Sequence, residues 1–163
     1  MTLQDWGALG ELIGGVAIIV SLIYVGLQVR QGTHATRAAT SQAFTDQYIS
    51  VLPPLREPGF AEIFWRGLRG LHNLQDSEKV VFMSFIATFL RIFEAFYFQE
   101  KDGAFDTRLF GGWSNTFIDL FTYEGPREVL EIRNHWYSAQ FVEYLQDRIA
   151  KAAPKDMYSK AAT

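Results

Sequence analysis

The sequence predicts an all-α protein, a single N-terminal transmembrane helix followed by a small antiparallel helical bundle. Three observations carry this. The stretch from Leu12 to Val29 holds no charged residue and is bounded by Glu11 and Arg30. Downstream, apolar residues recur at three- and four-residue spacings, the period of a helix face. Pro53-Pro54, Lys101-Asp102-Gly103 and Gly125-Pro126 punctuate that pattern where helices should end or begin. The chain divides accordingly into an anchor over 1–30, an amphipathic connecting helix over 31–54, a helical domain over 55–152 and a frayed tail over 153–163.

As a helix the Leu12–Val29 stretch would be roughly 27 Å long, close to the hydrocarbon thickness of a bilayer. A cleaved signal peptide would need a basic leader, and Met1 to Glu11 contains no Lys or Arg. Gly7, Gly10, Gly14, Ala17 and Ser21 fall on one helical stripe of small residues. In lipid, helices associate by close backbone approach, so this stripe is expected to dock another membrane helix or a second copy of itself. Trp6 and Tyr24 flank the span as belt aromatics would, and Glu11 and Gln28 lie near its two ends. Asp5 and Glu11 precede the span while Arg30 and Arg37 follow it. The positive-inside rule then places the N-terminus outside and the helical domain in the cytoplasm.

The run Gly7, Gly10-Glu11, Ile13-Gly14-Gly15, Ala17, Ser21-Leu22, Tyr24, Gln28, Arg30 and Thr33 resembles the N-terminal signature of a group of uncharacterised bacterial proteins. Each has one N-terminal membrane helix and a small helical domain. The resemblance covers about the first 35 residues. It implies a bacterial inner-membrane location and carries over no catalytic residues. That signature has Asn where this chain has Gly32, which predicts a looser helix, or a bend, at Gly32-Thr33.

Beyond the span, Ala35, Ala38, Ala39, Ala43, Phe44, Tyr48 and Leu52 keep a helical spacing up to Pro53-Pro54. A short helix is expected from Pro58 or Gly59 to about Leu71, with Phe60, Ile63, Phe64, Leu68 and Leu71 inward. The next is expected to open at an Asp76 or Ser77 cap and run to about Gln99 as the core helix. Between Val80 and Phe98 its only charges are Arg91 and Glu94, and Ser84, Ala87, Thr88, Arg91 and Ala95 form its outward stripe. A second membrane span there would place Arg91 near mid-bilayer, at roughly 2.5–3.5 kcal/mol. A further helix leads through Gly111-Gly112 to Trp113, Phe117, Leu120 and Phe121. The last is expected to start at Pro126 and continue to about Ala150, with Val129, Ile132, Trp136, Ala139, Leu145 and Ile149 on one stripe and Leu130, Tyr137, Phe141 and Tyr144 on another.

Composition excludes several chemistries. The chain has no cysteine, which removes disulfides, iron–sulfur clusters and thiolate zinc sites. A net charge of −3 without a clustered basic face argues against nucleic-acid binding. Glu124, Glu128, Glu131 and His135 lack the paired Glu-x-x-His spacing of di-iron bundles, so Glu131, Arg133 and His135 read as solvated helix residues. His72 reads as a cap or a solvated loop residue. Neither a nucleophile elbow nor a phosphate-binding glycine loop is present, Gly67-Leu68-Arg69-Gly70 lying in a helical stretch. No catalytic residue, cofactor or metal is therefore expected.

Aromatics make up 15% of the chain, more than a core of this size needs, which points to binding surfaces. Trp65 and Trp113 are candidates for a partner surface. The expectation is a non-catalytic accessory or scaffold subunit of an inner-membrane complex, respiratory or photosynthetic assemblies being possible hosts. Its partners would be other membrane-protein subunits or itself, together with the lipid bilayer. The alternative is a membrane-tethered sensor or small-ligand-binding helical domain.

Overall fold

A computed structural model describes residues 3–153 and 157–158, with side chains from Gly14 onward. Among the described residues the protein is all-helical. Six α-helices follow one another: α1 (Leu3–Ser50), α2 (Pro58–Leu68), α3 (Asp76–Lys101), α4 (Thr107–Leu120), α5 (Glu124–Arg133) and α6 (Ala139–Lys151). Short 3₁₀ turns at Pro53–Arg56, Leu71–Asn73 and Asn134–Trp136 join them.

The first helix is longer than the punctuation suggests. It runs through Gly32-Thr33 without a break, so anchor and connecting segment form one rod ended by Pro53-Pro54. One interior glycine costs about 1 kcal/mol of helix propensity, too little to end a rod of this length. Its inward face also differs. Ala35, Ala38, Ala39 and Ala43 are exposed, while Ser41 and Phe44 are buried and Arg37, Thr40 and Tyr48 half-buried. The domain binds the aromatic and polar stripe because Phe44 and Tyr48 bury far more area than alanine does.

Around α3 the remaining helices build the core. Phe82, Ile86, Leu90, Phe93 and Phe96 are fully buried along it, and Ser84, Thr88, Arg91 and Ala95 face solvent. Phe93 stacks on Phe117 of α4 at 4.5 Å and meets Phe141 of α6 edge-on at 5.4 Å. The cap of α3 is Gln75, one residue earlier than Asp76, because Glu78 reaches back to accept from the Gln75 amide at 2.9 Å. Arg66 donates to the same carboxylate at 2.6 Å, tying α2 to the start of α3.

Three boundaries differ from the sequence pattern. The helix expected to reach Leu71 stops at Leu68, since Gly70 adopts φ +124°, a region that favours glycine. Asp106 caps α4 by accepting from the Arg108 amide at 3.0 Å, so that helix starts at Thr107 and runs through Gly111-Gly112. The expected 126–150 helix is two helices. Pro126 sits in the first turn of α5 rather than opening it, and the chain breaks over Asn134–Trp136 before Ser138 caps α6.

Tertiary hydrogen bonds from α3 explain that break. Glu94, 7% exposed, pairs with Arg91 and accepts from the Ser138 amide at 2.7 Å. Arg91 donates to the Trp136 carbonyl at 3.0 Å, and the Tyr137 hydroxyl donates to the Ala87 carbonyl at 3.1 Å. Local periodicity cannot register bonds from a distant helix, and one result is that Ile132 and Trp136 are exposed rather than inward.

Candidate functional site

The distinguishing feature of the molecule is the half of α1 that touches nothing. Residues 14–36 are all exposed, and the apolar ones include Ile18 at 63% and Leu22 at 67%. Within Gly14–Ser50, the part of α1 whose side chains are described, the most apolar 18-residue window has mean hydropathy 1.4 and is 0% buried, which by length and composition is enough to cross a membrane. The corresponding window of α3 is 56% buried, as a core helix should be.

Within this collar the small residues leave a clear channel. A Cβ added to Gly14, Gly15 or Gly26 would meet nothing within 4 Å, and Ala17 and Ser21 are exposed beside Gly14. Gly7, Gly10 and Trp6 fall outside the residues whose side chains are described. Three polar side chains in and near the collar bond within the helix itself. Ser21 donates to the Ala17 carbonyl at 2.8 Å, Gln28 to the Tyr24 hydroxyl at 2.9 Å, and Thr33 to the Val29 carbonyl at 3.0 Å. A hydrocarbon medium demands that arrangement, because an unpaired polar group there costs several kcal/mol.

The other half of α1 fixes the domain to the rod. Arg37 donates to the Gly103 carbonyl at 2.8 Å. One helical repeat on, Phe44 stacks on Phe96 at 4.3 Å and meets Trp113 edge-on at 5.1 Å. Tyr48 packs against Trp113 at 4.9 Å, and burial pushes its phenol above the ordinary tyrosine value. From Val29 to Arg37 a helix rises roughly 12 Å, so the domain begins a short way beyond the apolar collar.

The two tryptophans expected on a partner surface are both half-buried. Trp113 wedges α4 against α1, and Trp65 carries the Arg69 guanidinium over its ring at 4.1 Å. Tyr24 is 60% exposed but lies within the collar, five residues short of Val29, rather than flanking it. Glu131 and His135 are exposed, and the helix break removes their one-turn relationship. Arg133 is not merely solvated, since it donates to the Met83 carbonyl at 3.1 Å and covers Trp136 at 4.4 Å.

Comparison of the chain with family models, with curated proteins and with solved structures finds no match.

Proposed function

We propose that this protein is a non-catalytic accessory or scaffold subunit of a bacterial inner-membrane complex. In this reading the collar of α1 spans the bilayer and docks a neighbouring helix along Gly7, Gly10, Gly14, Ala17 and Ser21. The domain, an antiparallel bundle around α3, is held in the cytoplasm by Arg37, Phe44 and Tyr48. The observation that carries the reading is the open face at Gly14 on the stretch of α1 over 14–36, every residue of which is exposed. Monomeric soluble proteins do not leave such a surface uncovered, and membrane helices use small residues to approach one another. Arg30 and Arg37 at the domain end of the collar support the orientation.

A ligand-binding domain is less well supported. The most enclosed apolar recess, between Tyr48, Leu55, Phe64 and Tyr158, has a volume of about 100 Å³, below the ≈ 300–1,000 Å³ of small-molecule pockets, and the larger recess of about 460 Å³ beside Tyr137 and Val142 is an open surface groove. The test is extraction of the tagged protein from its native membrane in mild detergent, with native-gel sizing and mass spectrometry of what accompanies it. Migration with a large complex in fixed stoichiometry is the expected result. Migration alone or as a small homo-oligomer would remove the accessory-subunit reading.

A further inference from the structure

His72, Glu124 and Glu128 come from two elements far apart in sequence, the 3₁₀ turn after α2 and the first turns of α5. Their donor atoms all lie within 4.8 Å of one another. Among the described residues no ion pair within 4.0 Å joins the imidazole to either carboxylate. Glu128 accepts from the Leu71 amide at 2.6 Å through one oxygen, which orients the carboxylate and leaves the other oxygen available. Gly70 leaves room for the ring, since a Cβ there would lie 2.6 Å from His72.

The geometry points to a divalent transition-metal site at His72, Glu124 and Glu128, with Zn²⁺ the best-fitting ion. One imidazole nitrogen and two carboxylate oxygens suit Zn²⁺, whose bonds to such donors are about 2.0–2.2 Å. Donors around one tetrahedral ion lie roughly 3.5 Å apart, so a small rotation of the Glu124 and His72 side chains closes the shell. Both are exposed, which gives an ion an entry path and leaves the fourth position to water. The ion would clamp the turn leaving α2 to the start of α5. This site is independent of the membrane reading of α1.

The test uses the untagged full-length chain in detergent, titrated with Zn²⁺ against a chromophoric chelator, beside the His72→Gln, Glu124→Gln and His135→Gln variants. One saturable equivalent is expected in the parent. It should weaken at least tenfold in His72→Gln and in Glu124→Gln, since even outer-shell losses cost 10–100-fold. His135→Gln should leave it unchanged. X-ray absorption of the parent protein supplies a readout that needs no variant, a shell of nitrogen and oxygen only at about 2.0–2.2 Å. The absence of saturable binding, affinity indifferent to either ligand substitution, or an equal loss in His135→Gln would overturn the assignment.

Discussion

Gly125 and Gly67 meet backbone to backbone, so that a Cβ on Gly125 would sit 1.8 Å from the Gly67 carbonyl oxygen. Behind this crossing of α5 on α2 lies Phe82, whose ring a Cβ on Gly67 would strike at 2.5 Å. Neither glycine is needed for an unusual φ. Both are needed for close approach. Gly125→Ala is therefore expected to destabilise the domain by at least the roughly 1–3 kcal/mol typical of overpacking. Gly59→Ala, which adds a methyl in open space, should not destabilise it in this way. Thermal unfolding in detergent checks the pair, and equal melting temperatures would contradict the crossing.

Glu94 is the buried carboxylate that joins α3 to the α5–α6 turn through the Ser138 amide. Glu94→Ala leaves that amide and Arg91 without their partner. The expected loss is about 1.5–3 kcal/mol, as for hydrogen bonds to a charged group. Amide exchange should rise first over residues 134–139. Protection there unchanged from the parent would show that the turn forms without α3.

Acid should loosen two helix starts. Asp106 is held at about 2 by side-chain hydrogen bonds from Arg108 and then by the Arg108 amide. Glu78 is held below its ordinary value by Arg66 and then by the Gln75 amide. Both are depressed, so their contribution is complete above the unfolded carboxylate range near about pH 4 and is lost as pH falls, for Asp106 through about 2. Asp106→Asn keeps a capping oxygen but cannot titrate. It should flatten the stability profile between about pH 4 and 2 without adding a new dependence near neutrality. An unchanged acid limb would contradict this assignment.

What the sequence reveals and what it hides divide along physical lines. The core helix was legible because Phe82, Phe89, Phe93 and Phe96 repeat at helical spacing and its polar stripe is continuous. The start of α4 and the stop at Gly70 were not, since they rest on one side-chain cap and one positive φ. The break before Ser138 depends on Glu94, some forty residues away, and no local pattern encodes it. For the candidate site, the collar was legible from hydropathy. By contrast, Trp113 looked like a surface residue because the rod it packs on, at Phe44 and Tyr48, is distant in the chain. The His72–Glu124–Glu128 grouping was missed for the same reason.

The membrane reading predicts a specific sensitivity. Ile19 is 59% exposed within the collar. Ile19→Arg would cost about 2.5–3.5 kcal/mol on insertion scales and should move much of the protein out of the carbonate-resistant membrane fraction. Ala35→Arg, exposed beyond the collar, should not. Equal partitioning of the two variants would show that the collar does not enter lipid.

Docking through the small-residue stripe and anchoring by the apolar collar can be separated in one variant. Gly10→Ile/Gly14→Ile fills the small-residue stripe while keeping the helix apolar. This variant is expected to remain in the membrane fraction yet no longer to co-migrate with the large complex that the parent protein joins on a native gel. A variant that stays in that complex at the same stoichiometry would contradict docking through this face of α1.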